Sequence, residues 1–469
     1  MIPLVEIPDL VRHYEAFFQP VFSAEALCQF QRYVSGLIVS ENKTVEGINR
    51  GFVIDLRNQS SLNRFLTASP FSVEALNGAR LALLASRPGT RLKPRGVLSL
   101  DDTLLTHYGE HFEKIAYLYD PTQDHYVWAH NLVNLHYSDD QTDYPVCFRL
   151  WEPADLDPLA AGLAAAGVRI RESKRRLQEQ NPKKWRHYLL GLWRRHQHQP
   201  AVQALYQSKL LLGQELATSF YETYPDLRLP LTFDPWYTQP AFCRYLDRTL
   251  QVPYVGTLSG EDPVRLASGE QPLAEFDEHL CEEHQEALKK GQAPVFQKIT
   301  IPFKGNQETY YSYCRTHRFP NLGKQRLVLN HRQADLSDGA TYFISNRLQW
   351  QAAGITRIRR HRWPVEVYHE EGKAAGLDQY QVRDFEAIYR HIALVAVTYS
   401  LLRVAPHDPA LLQKLHRQVQ TRLDGSAGAV RRHTQAQALW AFGSFLASAL
   451  AQGQPLREVM QPFLAAVAY

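Results

Sequence analysis

A chain of 469 residues is too long for one ordinary core, and 45% hydrophobic with 21% charged residues excludes a disordered or fibrous protein. A net charge of only +4 excludes a general polycation, so any nucleic-acid surface must come from local clustering. Five cysteines without a Cys-x-x-Cys pair, no leader-like start and no apolar run of about 18 residues argue against a zinc ribbon, a disulfide scaffold and a membrane span, and favour a reducing cytoplasm.

Residues 1–90 read as helices. Leu10, Tyr14, Phe17 and Phe18 recur at helical spacing, as do Leu27, Phe30, Tyr33, Val34 and Leu37. A short polar helix over 58–66 carries Asn63 and Arg64, side-chain types that read base edges in the major groove. A helix-turn-helix-like DNA reader and an ordinary helical bundle both fit that stretch.

From Gly96 the period changes. Val97-Leu98-Ser99-Leu100-Asp101-Asp102 is an apolar run ending in two acids, the pattern of a buried strand with carboxylates at its end. Strands over 124–137 and 144–151 follow, separated by turn residues, and predict an antiparallel meander. Residues 157–224 read as helical. Ten cations fall between positions 169 and 195, among them Lys174, Arg175, Lys183 and Lys184, interleaved with Trp185, Tyr188 and Trp193. Such a patch suits a phosphate backbone.

Leu231-Thr232-Phe233-Asp234 is another apolar strand closed by an acid, followed by a helix over 240–250 and a strand over 252–257. Residues 260–339 break the pattern with an acidic helix (275–290) and β-rich stretches, as an insertion would. A strand over 341–345 precedes further helices, with Asp424-Gly425-Ser426-Ala427-Gly428 as an expected hinge.

Pro364 in Arg362-Trp363-Pro364-Val365-Glu366 marks a first helical turn, so Glu366 opens a helix on which Glu366, Glu370 and Lys373 share one stripe. Acids at strand ends and a helix start are well placed to hold hard divalent cations beside a phosphate, whereas a solvated Glu/Lys face is the plain reading of the stripe alone.

Arg362, Glu366 and Lys373, with three and six residues between them, resemble the Arg–Glu–Lys part of the Tyr–Arg–Glu–Lys signature of bacterial insertion-sequence transposases of the DDE type. Gly376-Leu377-Asp378-Gln379-Tyr380-Gln381, Phe233-Asp234-Pro235-Trp236-Tyr237 and the strand at Asp102-Thr103 are similar to other motifs of that group. The signature tyrosine would stand at 359, where this chain has Arg359.

The resemblance covers roughly residues 95–405. It implies an α/β protein with an RNase H-like catalytic core built on a mixed sheet. A helical DNA-end-binding domain (1–90), core segments at 91–257 and 340–405, a β-rich insertion (258–339) and a helical C-terminal region (406–469) complete it. It implies Asp102, Asp234 and Glu366 as catalytic metal ligands, with Asp102 preferred over Asp101 because the family's acid precedes Thr. Arg362 and Lys373 would contact phosphate. Mg2+, with Mn2+ as a substitute, would serve cleavage and strand transfer at the terminal repeats of double-stranded DNA, in a homodimeric synaptic complex. Three other readings compete: a nuclease of the same fold, a non-catalytic DNA-binding derivative, and a histidine metalloenzyme hinted at by His196 and His198.

Overall fold

In a computed structural model that describes residues 2–419 and 426–467, the molecule is built outward from β1 (Val97–His107). β2 (Ala116–Asp120), β3 (His125–Ser138) and β4 (Asp143–Trp151) follow it. β3 pairs antiparallel with β1 on one side and with β4 and β2 on the other, so the expected meander is present, with β2 as an additional strand. β5 (Leu231–Phe233) lies parallel to β1, and β6 (Tyr254–Leu258) parallel to β5. The order β4-β3-β1-β5-β6, with only β3 reversed against β1, is consistent with an RNase H-like DDE fold.

The β-rich segment does not stand apart from this sheet. β7 (Pro263–Leu266), β8 (Gly269–Pro272), β9 (Gln297–Phe303), β10 (Asn306–Phe319) and β11 (Gly323–His331) join it through β12 (Thr341–Ser345), which pairs with both β11 and β6. The result is one twelve-stranded mixed sheet. A strand edge left open at β6 would expose unpaired N–H and C=O groups, and β12 covers it.

Helices cover both faces of the core strands. On one face, Gly213 of the helix Lys209–Thr223 approaches so closely that an added Cβ would lie 2.7 Å from Leu100 Cδ2. On the other, Ser99 Oγ donates to the carbonyl of His361, in the corner between the helices Ala352–Arg360 and Trp363–Ala374. The long helix Phe385–Val404 is the only one among the described residues with the length and hydropathy of a membrane span. It is a core helix instead, because 83% of that window is buried inside the molecule. The N-terminal helices wrap it: Tyr33 Oη bonds His391 Nδ1 at 2.8 Å, and the buried Arg80 reaches Ser400 Oγ at 3.0 Å.

At the C-terminal side, Asp424 and Gly425 of the expected hinge lie outside the described residues. Ser426 accepts from the Ala429 N–H as an N-cap, so Ala427 and Gly428 belong to the helix Ala427–Ala451 and not to a hinge.

Asp408 ties the N-terminal helices to this region. It accepts from His13 Nε2 (2.8 Å) and Tyr14 Oη (3.1 Å) and pairs with Arg87, with its side chain only 2% exposed. Burial alone would raise its pKa, but the hydrogen bonds from His13, the Leu411 N–H and Tyr14 outweigh it and hold the carboxyl at about 2. A depressed folded-state pKa contributes stability above the unfolded value of about 3.9 that is lost as pH falls toward about 2. Asp408→Asn should therefore cost about 2 kcal/mol at pH 7. Urea unfolding of both proteins should show that gap narrowing once pH drops below about 4; a gap independent of pH would remove Asp408 as its source.

Candidate active site

β1 and β5 carry the same pattern in the same register. Leu98 pairs with Leu231, Ser99 with Thr232 and Leu100 with Phe233. The next positions are Asp101 and Asp234. Paired residues on neighbouring strands face the same way, and side chains alternate along a strand, so Asp101 follows the Ser99–Thr232 face. That is the face of the His361 corner and of Glu366.

Asp101 and Glu366 are joined there by one guanidinium. Arg362 donates through Nη1 to Asp101 Oδ2 at 2.5 Å and through Nη2 to Glu366 Oε1. Burial pushes the Asp101 carboxyl up to about 7 against the pull of Arg362, and the charges of Asp234 and Asp102 push the same way. Asp234 is also raised, first by burial and then by Asp102, against a hydrogen bond from the Tyr237 N–H. Asp101, Asp234 and Glu366 all act on the buried guanidinium of Arg359, which burial and Arg362 bring down to about 10. Arg359 itself donates to Thr257 Oγ1 at 2.8 Å.

Asp102 faces the opposite side. Its Oδ2 accepts from Lys209 Nζ (2.9 Å) and Asn131 Nδ2 (2.6 Å), and its Oδ1 from Tyr237 Oη (3.0 Å). Lys209 belongs to the helix that covers the Leu100 face, and its Nζ sits 4.2 Å over the Trp236 ring. The strand pleat thus sets Asp101 toward Arg362 and Glu366, and Asp102 toward Lys209, Asn131 and Tyr237.

Both acids, with Asp234, Lys209, Trp236 and Lys373, line one cleft of about 550 Å³. Glu366 sits in the first turn of its helix, behind Pro364, as the sequence predicts. Lys373 lies two turns on. The helix then stops in a Schellman motif: the Leu377 N–H bonds the Gly372 carbonyl and the Gly376 N–H bonds the Lys373 carbonyl. Gly376 has φ +100, and a Cβ there would meet Lys43 at 2.5 Å, so glycine is required where Gly-Leu-Asp begins.

The donor set fits a hard divalent cation. Asp101 and Glu366 share the guanidinium of Arg362, and the charge of Asp234 acts on Asp101. The raised proton affinity of Asp101 and Asp234 comes first from burial and only then from neighbouring carboxylates, whose repulsion a cation would relieve.

The family model described as DDE superfamily endonuclease matches residues 16–274, just over half of the chain, including both strand-end acids but stopping before Glu366. The chain belongs to the DDE superfamily endonuclease family. No curated protein matches it. Membership in this family supports a metal-dependent nuclease acting on DNA.

The remaining predicted positions of this DDE endonuclease lie away from the acids' hydrogen-bond network. Asn63 and Arg64 are exposed on the helix Gln59–Thr67, whose Leu62, Phe65 and Leu66 face the core. Lys174, Arg175, Lys183 and Lys184 are exposed on a helical segment with its own small core. Trp185 and Trp193 are not exposed stacking surfaces. They recur with Leu189 on one helix face and fill that core. His196 and His198 stand at the surface side by side, their ring centroids 6.2 Å apart.

Proposed function

We propose that this DDE endonuclease is an insertion-sequence transposase of the Tyr–Arg–Glu–Lys type that cuts and joins DNA at the terminal repeats of its element. Asp101, Asp234 and Glu366 act as the metal-holding acids. The observation that carries the reading is the shared β1–β5 register, which sets two carboxylates side by side on the face where Glu366 arrives. When bound, divalent cations such as Mg2+ make a water or a 3′-OH nucleophilic and stabilise the departing oxygen. The protein's own part is positioning. Arg362 bridges Asp101 and Glu366 through both Nη atoms and would turn its planar fork to phosphate once a cation takes over those carboxylates, and Lys373 places a point charge in the cleft.

The exposed face at Asn63 and Arg64 reads the element end, and the cations around Lys174, Arg175, Lys183 and Lys184 follow the backbone. Because the first 90 residues cover the core helix Phe385–Val404, point substitutions test this better than truncation. Asn63→Ala with Arg64→Ala should lower the preference for the element's own ends over random DNA. An unchanged preference in competition binding would place recognition elsewhere.

Lys373→Ala should weaken productive DNA engagement about tenfold, or 1.4 kcal/mol, with the Mg2+ dependence of cleavage unaltered. If Lys373 made only an exposed ion pair, worth about 0.3–0.5 kcal/mol, neither curve would move. Cleavage measured against DNA and against Mg2+ separately decides.

Joining separates a transposase from a nuclease of the same fold. Purified protein, a duplex bearing the element ends, a target plasmid and Mg2+ should yield covalently joined products on a denaturing gel. Cut ends without joined products would favour the nuclease.

A further inference from the structure

A second group of metal-ligating atoms lies outside the cleft. Asp277 and Cys281 are one turn apart on the helix Leu273–Lys289, and His331 ends β11. His331 Nε2 lies 3.1 Å from Asp277 Oδ1 and 3.8 Å from Cys281 Sγ, and Sγ lies 4.0 Å from the same Oδ1. All three atoms fall within 4.8 Å of one another, with Asp277 and His331 buried.

We propose that Asp277, Cys281 and His331 form a site for a borderline-soft divalent transition metal of the Zn2+ class. Bonds near 2.0 Å to nitrogen and oxygen and near 2.3 Å to sulfur put tetrahedral ligand atoms about 3.3–3.5 Å apart. The three separations here need shifts of only a few tenths of an ångström. The imidazole is also oriented for ligation. Its Nδ1–H donates to the Asp338 carbonyl at 2.8 Å, which turns Nε2 toward the thiol and the carboxylate. An imidazole held through one nitrogen by a backbone carbonyl, with the other on the metal, is the usual outer-shell arrangement.

Thiolate and imidazole are poor ligands for Mg2+, so the site is chemically distinct from the carboxylates in the cleft. On binding, the Cys281 thiol proton and any proton on His331 Nε2 leave to solvent, and the fourth position is open to a water or to the second oxygen of Asp277. The metal would fasten the acidic helix to the end of β11. The simpler reading is a His331–Asp277 ion pair with Cys281 as a neutral neighbour. That reading has no use for the thiol, and this difference decides the test.

Full-length protein stripped with EDTA is titrated with Zn2+ alone, and separately with Co2+, in excess Mg2+ that occupies the carboxylates. One equivalent of Zn2+ should bind, and the Co2+ form should show thiolate-to-metal charge transfer. Cys281→Ser should weaken Zn2+ binding at least about tenfold and abolish that band. His331→Gln should weaken binding similarly, whereas Asp234→Ala should leave it unchanged. Should His331→Gln fail to fold, Cys281→Ser at a half-buried position decides by itself. Zn2+ affinity unchanged in Cys281→Ser, or a Co2+ spectrum without the band, overturns the proposal.

Discussion

Asp101→Asn should abolish strand cleavage, with a loss of at least about 10³-fold, or roughly 4 kcal/mol of transition-state stabilisation, while end binding stays near normal. Asp101 shares its face with Asp234 and contacts Arg362 at 2.5 Å, so under the proposed assignment removing its charge removes a metal-holding oxygen and not a DNA contact. Asp102→Asn should act differently. It removes the partner of Lys209, frees that ammonium, and leaves Asn131 and Tyr237 to a neutral amide. Its cleavage loss should be smaller, about tenfold, reflecting a displaced lysine and not a missing ligand. Single-turnover cleavage of labelled duplex compares the two. The reverse ranking would return the metal-holding role to Asp102.

Asp143→Ala should be the most destabilising single change in the sheet, at about 3–5 kcal/mol. The carboxylate is 3% exposed and accepts from Tyr399 Oη (2.6 Å), Arg403 Nη2 (2.6 Å) and Lys304 Nζ (2.8 Å), with His136 at 3.6 Å. Burial would raise its pKa, but Arg403, His136 and Lys304 together hold it well below the usual carboxylate range. One residue thus ties β4 to the long core helix and to the β9–β10 turn. Truncating it removes the strongest counter-charge of a largely buried guanidinium, leaving only the weaker influence of Glu371 and Asp139. Urea unfolding would measure the loss, and a change below about 1 kcal/mol would mean that water replaces the carboxylate at Arg403.

Much of this was legible in the sequence. Pro364 marked the start of the Glu366 helix, because a fixed φ is a local demand, whereas Gly376, read only as part of a motif, proves to end it. The apolar runs ending at Asp101 and Asp234 marked buried strands. The face of β1 was harder to read, since both faces are covered and two acids stand next to each other at the end of the apolar run. The signal that could have separated them is the parallel between Leu98-Ser99-Leu100-Asp101 and Leu231-Thr232-Phe233-Asp234, which only the pairing of β1 with β5 makes meaningful. Lys209 and Asn131 were not legible, because they reach Asp102 from elements distant in sequence. Trp185 and Trp193 misled for the opposite reason: aromatic residues among cations read as a nucleic-acid surface, yet their spacing with Leu189 builds a core. That the β-rich segment extends the main sheet depended on β12 pairing with β6, a long-range contact with no local mark.

The central claim is that Asp101, Asp234 and Glu366 hold divalent cations that cut DNA. Its most direct measurement is cleavage of an end-labelled duplex by the wild-type protein and by Asp234→Ala, each with Mg2+ and with EDTA. The account predicts cleavage by the wild type in Mg2+ alone, and none by Asp234→Ala although it still binds the duplex. Cleavage that survives EDTA, or that Asp234→Ala retains at a near-normal rate, would contradict it.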